Sequence, residues 1–389
     1  MPSLTQDQEQ QLAQRLIQVR RELHQQPELS NEEFQTTDKL RRWLAEAGIT
    51  VLDLPLQTGL IAEIGSGRGP VVAIRADIDA LPIEEDTGLP FSSVIPGRMH
   101  ACGHDFHTAG ILGAACLLKA QESELAGTVR ILFQPAEETG HGAIAVLESG
   151  GLRGVDAIFG LHNNPDLPAG SFGTRSGALT AGVDRFVIKV LGKGGHAAQP
   201  ERGQDTIVTA AQIITSLQTI VSRLTSAVES VVVSVTRIQG GNTWNVLPGV
   251  VELEGTVRTY NEAIRQAVPR QIRQIIEGVA AAAGAEAQLE WIPGPPATVN
   301  DPRWAGFAAA TAARLGLTVF ELDPQMGGED FAFYLQQLPG AFVNIGTEGV
   351  YGLHHPRFDV DESALLPTAR YFAELAAAAL NELGINPPF

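Results

Sequence analysis

The chain has 389 residues, 44% of them hydrophobic, with 44 acidic side chains against 27 basic ones and a net charge of −17. That is enough apolar material for more than one domain core. The negative balance argues against nucleic acid or an anionic membrane surface as the main partner, while leaving room for a small anionic substrate held by one pocket arginine.

Two cysteines, Cys102 and Cys116, suggest no disulfide framework and fit a reducing compartment. The opening MPSLTQDQEQQLAQRL lacks the basic and apolar regions of a signal peptide. No uninterrupted apolar run reaches the ~18 residues of a membrane span. A cytoplasmic protein is expected.

Along the chain, Leu12, Leu16, Val19 and Leu23 recur at helical spacing and predict a helix over 6–24. A second helix follows, with Ser30 or Asn31 as its cap and its end at Gly48. ITVLDLP and GLIAEIG read as a short strand pair. Then come a continuous β-branched strand (70–76), a helix from Thr108 to Gln121, a strand at 128–134, a helix at AIAVLESG and a strand at 156–162. Such runs suit strands buried on both faces, and the alternation predicts an α/β fold: a mostly parallel sheet flanked by helices.

Near 183 the pattern changes to strand, long helix, two strands, helix, strand. This βαββαβ order predicts an inserted two-layer domain over 183–299, its antiparallel strands covered on one face by two helices. PGPPATVNDP leads out of it. Residues 300–389 then complete the domain begun by 1–182, with a helix, the GGEDFAFYL segment, a strand at AFVNIGT, the LHHP loop and a last helix.

Polar motifs sit where these strands end: RADIDALP, QPAEE and HNN, joined by MHACGHDFHTAG and LHHP. Ligands of open α/β sheets bind at such strand ends. Cys102, His104, Glu138, His162 and His354 have the side chains that hold zinc or manganese. Five ligands exceed the need of one tetrahedral ion and suit two ions about 3.5–4 Å apart, with the thiolate as a natural bridge.

Of the pair Glu137–Glu138, one carboxylate can bind metal while the other takes a proton from metal-activated water; a solvated helix start is the plainer alternative. Asp77 and Asp79, ending a strand, suit orientation of a ligand histidine. Asp105 reads equally as loop support or ligand, and His100, His107 and His355 as supporting residues. His196 is either an exposed turn histidine or an electrophile that polarises the scissile carbonyl. Arg258 is either a surface arginine or the clamp for a substrate carboxylate, and Asn245 is an odd residue for a plain sheet domain.

These motifs, with GKGGHAAQP, GGNTWNVLPGVVELEGTVRT and RRELHQQPELSNEEFQTT, resemble the M20 metallopeptidase superfamily. The resemblance is strongest to its amidohydrolase branch of hippurate hydrolases, plant auxin–amino acid conjugate hydrolases and N-acetyl-diaminopimelate deacetylases. It covers nearly the whole chain. It implies a zinc-peptidase-like catalytic domain with a dinuclear centre, in which Cys102 bridges and His104, Glu138, His162 and His354 complete the ligands.

It further implies Glu137 as general base, and His196 as a histidine that serves the partner subunit's site in a homodimer built on the inserted domain. Asn245, Arg258 and Gly328 fall to substrate binding, and Asp77 and Asp105 to support of the ligands. The function expected is hydrolysis of the amide of an N-acyl amino acid, with Mn²⁺ or Zn²⁺ as the physiological pair and Co²⁺ or Ni²⁺ as substitutes in vitro. A dipeptidase or aminoacylase of the same architecture, an amidase with Cys102 as nucleophile, and a non-catalytic metal or conjugate binder are the rivals.

Overall fold

The structure, a computed structural model, describes residues 5–65 and 67–385. They form two compact units. One contains the chain up to 179, then 299–323 and everything from 330 onward; the other contains 180–298 and the short stretch 324–329. Gly328 therefore belongs with the second unit.

The first unit opens with α1 (Gln6–His24), capped by a reciprocal Thr5–Gln8 capping box. Next is α2 (Phe34–Glu46), which has no cap from its own Glu33. Ser30 and Asn31, expected to cap it, do not: the Glu28 carboxylate accepts from the Gln35 and Thr36 amides instead. That leaves the Ser30 hydroxyl to donate to Asp79 at 2.7 Å.

Strands β1 (Thr50–Val51), β2 (Leu60–Gly65) and β3 (Val71–Asp77) follow, then α3 (His104–Ala120), β4 (Thr128–Gln134), α4 (Gly142–Glu148), β5 (Ala157–Asn164) and β6 (Phe172–Thr174). Helix α3 begins four residues before the expected Thr108, because Gly103 adopts a left-handed conformation (φ +83°) and turns the chain into the helix.

The second unit carries β7 (Gly182–Leu191), α5 (Thr206–Thr219), β8 (Val231–Gly240), β9 (Val250–Thr259), α6 (Glu262–Ala282) and β10 (Glu286–Pro293). Its sheet runs β8-β9-β7-β10, antiparallel throughout. Phe186, Ile188, Leu253 and Val257 of the sheet share one apolar core with Ile213 and Leu217 of α5 and Ile272 and Ile276 of α6. This is the two-layer βαββαβ unit. The stretch Thr206–Leu224 is long and apolar enough to cross a membrane by length and composition, yet Thr209, Ala210, Ile213 and Leu217 lie buried along it.

The first unit resumes with α7 (Pro302–Arg314), β11 (Val319–Glu321), β12 (Gly340–Gly346) and α8 (Leu365–Ile385). Its sheet has the order β1-β2-β4-β3-β5-β12-β6-β11, parallel through the central β4, β3, β5 and β12. Alternate residues feed two cores: Val72 and Ile74 pack with α1, α3 and α8, while Ala73 and Leu132 pack with α4 and Phe331. Two glycines let α3 lie close on α8. A Cβ on Gly113 would stand 2.8 Å from that of Ala369, and one on Gly110 would stand 2.9 Å from Thr368. The packing fixes where the first turn of α3 falls, beside the carboxyl ends of β3, β4 and β5.

Candidate metal centre

The ligand candidates of the first unit gather at the ends of regular elements and in one loop. His104 opens α3, with Cys102 two residues before it; His162 is near the end of β5; Glu137 and Glu138 follow β4. His354 comes from a loop. Its backbone has φ +64°, and its amide donates to the Ala101 carbonyl at 2.8 Å, which ties the loop to the segment carrying Cys102.

The donor atoms of Cys102, His104 and His162 all lie within 4.8 Å of one another, and so do those of Cys102, Glu138 and His354. Cys102 is thus the common corner of two triads. A third group of this size joins His104, Glu137 and Glu138. His355, by contrast, stacks on Tyr351 at 4.5 Å and accepts the Arg357 amide at Nδ1, so its ring is engaged away from the cluster.

The imidazoles are set by what their outer nitrogens do. His162 Nδ1 donates to the Asn163 carbonyl at 2.7 Å, so its Nε2 lone pair faces Cys102 Sγ at 3.4 Å. Burial, with His107 next to it, pushes His162 down to about 3 and keeps it neutral. His104 Nδ1 donates to the Asp79 carbonyl at 2.9 Å, with the Asp79 carboxylate 3.2 Å away. Its Nε2 faces Asp77 at 3.7 Å and Glu138 at 3.9 Å.

Burial opposes charge on His104, but Asp77 and the bond to Asp79 outweigh it and hold His104 well above the usual imidazole range. The surroundings favour positive charge at that nitrogen. His104 Nε2 and Glu138 Oε1 are both buried without a hydrogen-bond partner. Two orphaned donors of electron pairs beside a shared thiol, with the histidine tautomers fixed from behind, fit a pair of divalent cations.

Asp79 is the residue behind His104, and it also accepts the Glu138 amide at 3.0 Å and the Ser30 hydroxyl. Asp77 serves another histidine. His107 Nε2 accepts the Asn163 amide at 2.8 Å, so its Nδ1 carries the proton and donates to Asp77 at 2.5 Å. Asp77 is also paired with Arg75, and Arg75 reaches Gln134 and Asp330. The Asp330 of GGEDFAFYL is thereby part of a buried clamp across the ends of β3 and β4.

Asp105 points away from the triads, into a buried network with Arg20 at 3.0 Å and His24 at 2.9 Å. Arg20 also holds Asp359 and Glu362, and His24 reaches Glu85. Desolvation opposes the His24 charge, but Asp105 outweighs it and raises His24 from 6.5 to about 9. A raised folded-state value means the stabilisation is complete below pH 6.5 and is lost as pH rises through about 9. His24→Gln is therefore expected to lower the thermal midpoint at about pH 6, with a deficit that shrinks as pH rises to about 10. Melts of both proteins across that range check it; a deficit independent of pH contradicts the charged His24.

In the second unit, His196 lies on a two-residue strand paired with Val246–Leu247, and its Nδ1 accepts the Ala198 amide at 3.1 Å. Asn245 is its neighbour across that ribbon, its carbonyl accepting the Ala197 amide. Arg258 sits on β9, half-buried, with its pKa lowered by burial against the pull of Asp184. Gly328 lies against it: a Cβ there would stand 2.3 Å from Val183 and 3.7 Å from Arg258 Nη1. Only glycine lets this stretch pack so closely on β7 and β9.

A model of peptidase family M20/M25/M40 matches residues 73–378. An N-acetylcysteine deacetylase of Bacillus subtilis is 54% identical over 371 residues, covering 95% of this chain and 98% of its own. The IAA-amino acid hydrolase ILR1-like 4 of Arabidopsis thaliana is 40% identical over 387 residues, covering 94% and 88%. Among solved structures, the Bacillus subtilis YXEP protein, a dinuclear metal-binding peptidase from the M20 family, superposes with a TM-score of 0.87 at 51% identity, covering 96% of this chain and 99% of that one. With the family model spanning both units and relatives matched along nearly their whole length, the chain belongs to peptidase family M20/M25/M40.

Proposed function

We propose that the protein is a dinuclear metal-dependent amidohydrolase that cleaves N-acyl amino acids to a carboxylic acid and a free amino acid. The observation that carries this is Cys102 standing at the corner of two ligand triads, Cys102–His104–His162 and Cys102–Glu138–His354. A pair of divalent cations held there lowers the pKa of water and polarises a carbonyl.

In this reading the chain's own residues divide the work. Glu137 belongs to neither Cys102 triad, yet its carboxylate lies within 4.8 Å of the His104 and Glu138 donors. It takes the proton of the attacking water and returns it to the leaving nitrogen. His196 is the donor to the carbonyl oxygen as charge develops. What supports this is its tautomer: Nδ1 accepts a backbone amide, so Nε2 carries the hydrogen. Arg258 and Asn245 hold the substrate carboxylate, and Gly328 keeps the approach to Arg258 narrow.

The reading includes a homodimer built on the second unit, supported by the exposed Ile207, Val208, Val221, Leu224 and Ile238 on α5, the turn after it and the edge strand β8. The mixed sulfur, nitrogen and oxygen donors suit Mn²⁺ or Zn²⁺. The two free cysteines suit the reducing cytoplasm. A cysteine nucleophile fits poorly: burial, then the Glu138 charge, pushes the Cys102 thiol well above its ordinary range, opposite to what an attacking thiolate needs.

A panel of N-acyl amino acids tests the function, headed by N-acetylcysteine because two Bacillus subtilis relatives, 54% and 48% identical, are named for its deacetylation. Hydrolysis is expected to vanish on exhaustive chelation and to return with Mn²⁺ or Zn²⁺. Full activity after chelation contradicts the reading.

A further inference from the structure

Glu33 is a fully buried carboxylate that makes no ion pair among the described residues. Its two oxygens are taken from two directions: the Thr58 hydroxyl donates to one at 2.7 Å and the Ala136 amide to the other at 2.8 Å. Its main chain is anchored as well, because the Thr37 hydroxyl donates to the Glu33 carbonyl at 2.6 Å and accepts the Gly59 amide at 2.8 Å. Burial among neutral donors raises its pKa. Such a group is costly to keep for packing alone. Nor does α2 need it as a cap, since Glu28 already serves the first turn.

What the carboxylate grips is the unusual residue of the QPAEE turn. Ala136 has φ +54°, a left-handed conformation that L side chains rarely adopt. Its carbonyl accepts the Gly142 amide and the Thr139 hydroxyl, both at 3.1 Å. Its amide is held by Glu33, 103 positions earlier. Glu137 is the next residue, so the direction of its side chain depends on this one backbone state.

We infer that Glu33 is a positioning residue for Glu137: its carboxylate locks Ala136 in the left-handed turn that aims the general base. This rests on the reading of Glu137 as base given above. Removing the lock lets the turn relax towards ordinary dihedrals and swings the carboxylate off its line, and a misplacement of about 1 Å is worth up to roughly 100-fold in rate.

The test compares Glu33→Gln and Glu33→Ala, each alone and combined with Ala136→Gly, with Glu137→Gln as control, all loaded with Mn²⁺ and assayed on the best N-acyl amino acid. Glutamine keeps the shape and can still accept the Ala136 amide at its carbonyl oxygen while its NH2 donates to the Thr58 hydroxyl, so it is the conservative variant; alanine removes the acceptor altogether. Glu33→Ala is expected to lose roughly 10- to 100-fold in kcat, with KM within about threefold and two cations per chain retained, whereas Glu33→Gln is expected to keep most of the wild-type kcat. Glycine adopts positive φ without strain, so Ala136→Gly is expected to restore a large part of kcat in the Glu33→Ala background.

Unchanged kcat in Glu33→Ala overturns the proposal. So does a loss of kcat that tracks metal loss and is not relieved by glycine at 136, which marks a purely structural carboxylate. A wild-type protein inert on the whole panel, or an undiminished Glu137→Gln, sinks the functional reading and this proposal with it. The first two outcomes require an active wild type, which keeps the failures apart.

Discussion

Glu137→Ala is expected to lower kcat by roughly 100- to 10,000-fold, the range that a positioned general acid–base group supplies, while the protein still binds two cations. The argument is geometric. Glu137 and Glu138 are adjacent, but only Glu138 shares a triad with Cys102 and His354, and its Oε1 is buried without a hydrogen-bond partner. Glu137 lies within 4.8 Å of His104 and Glu138 without entering either Cys102 triad. A carboxylate beside a ligand set, and outside it, can serve to move protons. Steady-state kinetics with metal analysis on the same preparation checks this. Metal loss equal to the rate loss reverses the roles of Glu137 and Glu138.

Much of the arrangement was legible in the sequence because it obeys local rules. A continuous β-branched run marked the buried strand β3, and TVRILFQ marked β4. The polar motifs at their ends marked one edge of the sheet, and the change to the βαββαβ order marked the second unit. Cys102 and His104, two apart after a glycine-bearing turn, were conspicuous because no core segment carries such side chains.

What escaped depends on contacts that leave no periodic trace. Ser30 reads as a helix cap from its neighbours, but its hydroxyl is spent on Asp79, 49 positions away. Asp77 and Asp79 are indistinguishable as text. In the structure Asp77 accepts from His107 and also lies 3.7 Å from His104 Nε2, whereas Asp79 holds His104 at Nδ1. The start of α3 at His104 follows from the positive φ of Gly103, which a helical apolar pattern does not register. His354 and His355 separate only once the stacking of His355 on Tyr351 is seen.

The second large effect concerns the ligands themselves. His354 comes from an exposed loop and belongs to one Cys102 triad, whereas Cys102 belongs to two. Removing a ligand weakens a site by more than the roughly 10- to 100-fold typical of its supporting residues. His354→Ala should therefore weaken one cation and spare the other, and Cys102→Ala should weaken both. The His104–His162 side is the one to survive in His354→Ala, because its two imidazoles are held from behind by the Asp79 carbonyl and the Asn163 carbonyl.

The most direct measurement is the number of Mn²⁺ or Zn²⁺ ions retained per chain after dialysis against metal-free buffer. The expected series is two for the wild type, about one for His354→Ala and none for Cys102→Ala. A folded Cys102→Ala protein that still retains two ions, or a wild type that never holds more than one, contradicts the shared-corner centre.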